Sequence, residues 1–347
     1  MKIVMDEKIP FLGDALLSMG NTVVTLPGAK ISRSDVQDAD ALFVRTRTCC
    51  NADLLSGTNV ALVGTATIGY DHIDSEFCAQ NNIHWVSAPG CNADAVLQYV
   101  QSSIYSWVAD NKKDIRELTL GVVGVGAIGS RVAAWAASVG FRVLLNDPPR
   151  EAAGHTGFVP LESIAQNADI ITFHPTLNGE GRYSTYHLAD EAFFLSLRRL
   201  PLIINASRGP VVDNMALLHA LDDNLVSDAI VDVWENEPEI NLQLLDRAYI
   251  ATPHIAGYSA EGKLNASRMM LEAFVSFFGC KGDIPQLTLQ SPDNPIVAAD
   301  NLANALLAIY SPFDDSRRLK ESPFTFENQR NNYTLRREPS AFDIVLR

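Results

Sequence analysis

From its first residues the chain alternates short apolar runs with longer amphipathic stretches. One series covers residues 3–5, 11–19, 23–25, 41–45, 60–65, 75–80 and 84–87. A short apolar run bounded by polar residues predicts a strand buried on both faces, and strands alternating with helices predict a mostly parallel sheet under helices. A second series of the same kind runs through residues 118–125, 128–139, 142–146, 169–174, 202–205, 226–232 and 249–252. Two doubly wound α/β units are therefore expected in one chain. Two long helical stretches, 93–108 with Asn92 as its cap and 259–278, stand between and after these series. Beyond residue 282 the pattern breaks into scattered prolines and polar runs such as Asp314-Asp315-Ser316-Arg317-Arg318 and Asn328-Gln329-Arg330-Asn331-Asn332-Tyr333. Such a segment reads as a small third module for subunit contact, or as a partly disordered tail.

Composition narrows the class. With 347 residues, 47% of them hydrophobic, the chain can bury more than one core. A net charge of −14 repels phosphates at long range, which argues against general binding to nucleic acid or to an anionic membrane. An anionic substrate would need a local cluster of arginines. No apolar stretch approaches the roughly 20 residues that span a bilayer, and Met1-Lys2-Ile3-Val4-Met5-Asp6 reads as a strand, not a secretory leader. Cys49, Cys50, Cys78, Cys91 and Cys280 are odd in number and lack CxxC pairs, so reduced thiols, a cytoplasmic location and no metal site are expected.

Gly124-Val125-Gly126-Ala127-Ile128-Gly129 follows a strand-like run and opens a helix-like one. In that context Gly124 would permit the tight turn, Gly126 the approach of a pyrophosphate and Gly129 the packing of helix on strand. Asp147 follows the next strand, about twenty residues on, where a carboxylate can take the ribose hydroxyls and favour NAD over NADP. It could also simply cap the turn before Pro148-Pro149, and Arg150 could bind a 2′-phosphate.

Three later loops, each after an apolar strand, hold Arg208, Glu237 and His254. An imidazole can take a hydroxyl proton, a neighbouring carboxylate raises its basicity, and a guanidinium offers a planar fork to a carboxylate. Together they suit oxidation of a 2-hydroxy acid. Each alone also has a plain structural reading as a loop cap, a solvated carboxylate or a surface ion pair.

The segments that carry these residues, Ile204-Asn205-Ala206-Ser207-Arg208-Gly209, Asp232-Val233-Trp234-Glu235-Asn236-Glu237-Pro238 and Thr252-Pro253-His254-Ile255-Ala256-Gly257, resemble the signatures of D-2-hydroxyacid dehydrogenases over roughly residues 1 to 280. The resemblance implies carboxylate binding by Arg208, acid/base work by His254 and support from Glu237. It also implies NAD contacts by Ala127, Ile128, Ala206, Ser207, Asp232 and Gly257 beside the glycines and Asp147. Thr176 joins them, although here Pro175 precedes the threonine, where relatives tend to have the reverse order.

The stretches Val63-Gly64-Thr65-Ala66-Thr67-Ile68-Gly69-Tyr70-Asp71-His72 and Ala88-Pro89-Gly90-Cys91-Asn92-Ala93 resemble a narrower branch of the family acting on a phosphorylated hydroxy acid. That likeness implies substrate contacts from Thr46, Thr67 and Tyr258. Arg45 and Arg47, at a strand end, suit a phosphate, though at period two they could equally share a solvated face. The family implies a flavodoxin-like substrate (lid) domain over 1–92 and 256–282, a Rossmann NAD domain over 93–255, and an α+β dimerisation module over 283–347 in a homodimer. Because relatives of this fold include corepressors, an NAD-sensing interaction protein is the alternative from another class.

Overall fold

The computed structural model describes residues 1–347 and divides into two compact units, 1–92 with 259–291 and 93–258 with 292–347. In the first, β1 (Lys2–Asp6), β2 (Thr22–Leu26), β3 (Ala41–Val44), β4 (Leu62–Thr65) and β5 (His84–Val86) form a parallel sheet in the order β2-β1-β3-β4-β5. β3 and β4 are buried at every residue, which is why they read as unbroken apolar runs, while the edge strands β2 and β5 are partly exposed. Strand alternation sends Ile3, Met5 and Phe43 to one face, against Leu12, Leu16, Met270 and Phe274 of two helices. Val4, Leu42, Val44 and Val63 point to the other.

The second unit holds β6 (Thr119–Val123), β7 (Arg142–Asn146), β8 (Ile170–Phe173), β9 (Leu202–Asn205), β10 (Asp228–Val231) and β11 (Ile250–Ala251), all parallel, in the order β11-β10-β9-β8-β6-β7. Adjacent residues again serve opposite cores. Val122 and Ile204 pack with Val100, Ile104 and Trp107 of the helix Ala93–Asp110, whereas Val123, Phe173 and Ile203 pack with Phe194 and Leu217. Burying each of these large side chains contributes about 1.5–3 kcal/mol.

One local expectation fails. Asn92 leaves its Oδ1 without a hydrogen-bond partner, and its Cα and Cβ lie against Gly262, so packing has taken the side chain that a helix cap would need.

The C-terminal segment is folded. β12 (Ile296–Ala299) pairs in parallel with β13 (Asp343–Leu346), beside the helices Leu302–Ile309, Phe313–Glu321 and Phe326–Asn331. Leu306 and Tyr310 join one core of the second unit, and Leu319 and Phe326 join the other. The polar run at 314–318 has an internal use, because buried Asp315 accepts the Tyr310 and Tyr333 hydroxyls at 3.0 Å each.

Candidate active site

Strand register gathers the chemistry of the second unit at one sheet edge. Val123 pairs with Phe173, Phe173 with Asn205, Asn205 with Val231, and Val231 with Ala251. The next residues, Gly124, His174, Ala206, Asp232 and Thr252, therefore begin five neighbouring loops at the carboxyl ends, where open α/β sheets bind ligands. Arg208, Glu237 and His254 lie on three of these loops.

The Nδ1 of His254 lies 2.8 Å from Oε2 and 3.1 Å from Oε1 of Glu237. With Nδ1–H donated to the carboxylate, Nε2 is the nitrogen left to exchange a proton. His254 has a left-handed backbone, φ 57°, which costs a non-glycine residue about 1–3 kcal/mol and persists only where neighbours enforce it. Its N–H donates to the carbonyls of Asp232 at 2.7 Å and Thr252 at 3.0 Å. The next two N–H groups, of Ile255 and Ala256, donate to the Asp232 carboxylate at 2.8 and 3.0 Å. Thr252 donates to the same carboxylate at 2.7 Å and shares a hydrogen bond with the Tyr99 hydroxyl at 2.8 Å. Asp232 is thus buried beneath the loop with its oxygens committed to shaping it. Burial pushes its carboxyl above the ordinary range, although His254 and these donors work the other way.

Glu237 is fixed from a second side. Its Oε1 accepts the Trp234 N–H at 2.9 Å, and the Arg330 guanidinium stands 3.6 Å from Oε2. Burial alone would raise its carboxyl. The hydrogen bond and charge of His254, then the Trp234 N–H and Arg330, outweigh that and hold it below its ordinary value. The carboxylate therefore stays charged beside the imidazole.

Arg208 is half-buried, with one guanidinium nitrogen donating to the Ser207 carbonyl at 2.9 Å. Asn205 shapes this loop, donating to the Arg208 carbonyl at 3.0 Å and accepting the Ser207 hydroxyl at 2.9 Å. Gly209 lets it touch the Glu237 loop, since a Cβ there would sit 1.9 Å from the Trp234 carbonyl oxygen. The Arg208 and Glu237 loops are also braced through His187, whose Nε2 meets Glu235 at 2.7 Å and whose Nδ1 faces Asp213 at 3.4 Å. His187, Asp213 and Glu235 bring one ligand atom each to within 4.8 Å of one another.

The glycine loop fits a dinucleotide. Gly124 has φ +82° and carries no side chain because a Cβ would meet the Pro175 nitrogen at 2.4 Å. Gly126 is exposed with no atom within 4 Å of a Cβ position, and the helix Ala127–Val139 starts there without a side-chain cap. Uncapped N–H groups at an open helix start suit a phosphate. Ala127 is exposed and Ile128 half-buried at that start. Asp147 does cap the next helix, accepting from Arg150 N at 3.1 Å, and also accepts Val125 N at 2.8 Å, while each oxygen keeps a lone pair for a ribose hydroxyl. Arg150 binds the Val125 carbonyl. Thr176 is exposed, and its carbonyl accepts the Thr185 hydroxyl at 2.6 Å. Ala206 and Ser207 are buried, and Gly257 is half-buried on the His254 loop.

In the first unit, Val44 pairs with Thr65, so Arg45 and Thr46 leave β3 beside the start of Ala66-Thr67 after β4. The buried Nε of Arg45 has no hydrogen-bond partner, Thr46 and Arg47 are exposed, and Thr67 bonds the Thr65 hydroxyl at 2.7 Å and the Gly69 carbonyl at 2.9 Å. Thr48 spends its hydroxyl on the Gly28 carbonyl at 2.8 Å. Tyr258 belongs to the second unit, where its ring meets Tyr333 edge-on with centroids 6.1 Å apart.

Tyr99, Asn205 and Arg330 carry this site without having been singled out by motif. Only Asn205 stood inside a recognisable segment. Arg330 lay in a polar run with nothing to mark its partner.

Residues 92–256 match the NAD binding domain of the D-isomer specific 2-hydroxyacid dehydrogenases. The chain is 50% identical to the erythronate-4-phosphate dehydrogenase of Bacteroides thetaiotaomicron over 99% of both proteins. It is 47% identical to that of Bacteroides fragilis over 100% of this chain and 99% of the relative. Among solved structures, the NAD-bound 3-phosphoglycerate dehydrogenase of Entamoeba histolytica aligns with a TM-score of 0.67 at 24% identity, covering 80% of this chain and 95% of that one, a likeness of fold.

Proposed function

Since the chain belongs to the D-isomer specific 2-hydroxyacid dehydrogenase family, we propose that it oxidises 4-phospho-D-erythronate with NAD to (R)-3-hydroxy-2-oxo-4-phosphooxybutanoate, a step of pyridoxal 5′-phosphate (vitamin B6) synthesis. The observation that carries the chemistry is the His254–Glu237 pair at 2.8 Å, on a loop whose strained backbone is held by four hydrogen bonds from the N–H groups of His254, Ile255 and Ala256. Identity of one residue in two to a full-length relative supports the choice of substrate.

In this reading Arg208 binds the substrate carboxylate and orients C2. His254 Nε2 takes the C2 hydroxyl proton, and Glu237 stabilises the imidazolium that forms. Bound NAD supplies the acceptor for the C2 hydride. Gly124, Gly126, Ala127, Ile128 and Gly129 would cradle its pyrophosphate and Asp147 its ribose, with Thr176, Ala206, Ser207, Asp232 and Gly257 along the rest of it. Arg45, Thr46, Arg47, Thr67 and Tyr258 are the proposed substrate contacts. The unpartnered Arg45 Nε is a donor suited to a phosphate oxygen.

The first unit would serve as the substrate domain and the second as the NAD domain, in a cytoplasmic homodimer built through the C-terminal segment. That segment exposes Ile296, Val345 and Leu346 on a two-stranded sheet too small to be stable by itself, a surface that suits a second copy. No helix is long and apolar enough to cross a membrane.

The test is consumption of 4-phospho-D-erythronate against 3-phosphoglycerate with NAD, followed as 2-oxo-acid product, with a second 2-oxo acid present to reoxidise any NADH that stays bound. Preference for 3-phosphoglycerate would overturn the substrate. Light scattering in solution tests the dimer.

A further inference from the structure

The C-terminal segment also reaches the acid/base loop of its own chain. Three residues at spacing three, Arg330, Tyr333 and Arg336, each meet a different part of the machinery. Arg336 is buried and donates to the Ile255 carbonyl at 2.9 Å, directly after His254, and to the Ala256 carbonyl. Its other donors go to Gln98 Oε1 and the Ala95 carbonyl at 3.0 Å each, and its guanidinium lies 4.3 Å from the centre of the Tyr310 ring. Tyr333 packs on Tyr258. Arg330 approaches Glu237. Arg336 supports the backbone after the histidine and Tyr333 the ring of the proposed substrate contact Tyr258, whereas Arg330 alone addresses a side chain of the acid/base pair.

We propose that Arg330 is a positioning residue of the acid/base pair, its guanidinium pinning the Oε2 edge of Glu237 and setting the charge that His254 faces. This rests on reading His254 and Glu237 as that pair. Oε2 is the oxygen 2.8 Å from the histidine Nδ1, and Oε1 is already held by Trp234 N–H at 2.9 Å, so Arg330 at 3.6 Å restrains the carboxylate at its working edge. The placement is built, not incidental. The short helix Phe326–Asn331 is anchored by fully buried Phe326, and Gln329 ties it back to the Arg318 and Ser322 carbonyls at 3.1 and 3.2 Å. Arg330 and Glu237 side chains are 24% and 17% exposed, so their attraction is only partly screened by water.

Three charges gather at the acid/base pair from separate elements: Asp232 after β10 and Glu237 on the following loop, both felt by His254, and Arg330 from the C-terminal helix against Glu237. Two are anionic and favour the imidazolium. The third is cationic and stands against the Glu237 carboxylate, drawing part of that charge away from the imidazole.

The test compares wild type with Arg330→Met, Arg330→Lys and His254→Ala in the full-length protein, measuring kcat and KM for 4-phospho-D-erythronate between pH 6 and 10, together with thermal unfolding. In Arg330→Met the acid limb of kcat should move up by roughly half to one pH unit, with kcat at neutral pH falling several-fold and KM changing less. Arg330→Lys should restore most of the limb position. If Arg330→Met does not fold, Arg330→Gln carries the same expectation. An unmoved limb in a folded neutral variant, or a loss that lysine fails to rescue, overturns the proposal while His254→Ala remains inactive. Near-normal turnover in His254→Ala would instead overturn the acid/base reading itself.

Discussion

Replacing Glu237 by glutamine tests the acid/base pair most directly, because it removes one charge and little volume. In the native site the carboxylate faces the imidazole at 2.8 Å. Opposite charges at that distance attract by about 6 kcal/mol at an effective dielectric near 20. That is a ceiling, since His254 and Glu237 are 26% and 17% exposed and water enters the pair. Carboxylate–cation pairs in such settings displace protonation by about 1–3 pH units. Oxidation needs neutral His254, and the Glu237 carboxylate favours the imidazolium, so its loss favours the working form on the acid limb of kcat. Glu237→Gln should move that limb down by about 1–3 units. The plateau should fall as well, by roughly tenfold or more, because the weakened base accepts the proton less readily and a positioned acid–base group supplies about 10²–10⁴-fold in all. Initial rates of NADH formation between pH 5 and 10 read both quantities. A limb that stays in place with an unchanged plateau would refute the pairing of Glu237 with the working histidine.

Other outcomes follow from single contacts. Gly209→Ala should cost about 1–3 kcal/mol or more in denaturant unfolding and most of the activity, because its Cβ would meet the Trp234 carbonyl oxygen at 1.9 Å and backbone must move on both loops. A stable, active variant would show that these loops are not held together as described. His174 is buried and held down to about 3 from its ordinary 6.5 by burial, so the unfolded chain binds the extra proton first as pH falls. Its contribution is complete above pH 6.5 and should shrink by about 2 kcal/mol by pH 5, a slope that His174→Gln should flatten in urea titrations at the two pH values. Asp147→Ala removes both the proposed ribose acceptor and the partner of Val125 N–H, and should weaken NAD binding about tenfold in calorimetry; unchanged affinity would remove Asp147 from the cofactor site.

Much of this was legible in one dimension, and for local reasons. Parallel strands buried on both faces are mostly apolar, so the runs at 41–45, 62–65, 202–205 and 228–231 declare themselves, as does the run before the special turn residue Gly124. Arg208, Glu237 and His254 were readable because each sits within a few residues of a strand end, and register alone brings those ends to one edge. Asn92 was misread because capping competes with packing, and only the neighbouring Gly262 reveals which one won.

The amino-acid sequence by itself determined the elements, the two wound units, the dinucleotide loop and the identity of the residues at the sheet edge. Each of these depends on residues near one another in the chain. Tertiary structure decided what those residues have for neighbours. Asp232 became a buried support, with Tyr99 and Thr252 behind it, and the Glu237 carboxylate gained Arg330 from a distant helix. Such pairings depend on which helix packs on which face. That is set by the sum of many apolar contacts and leaves no periodic trace at either partner, so the charge around His254 could be known only after folding.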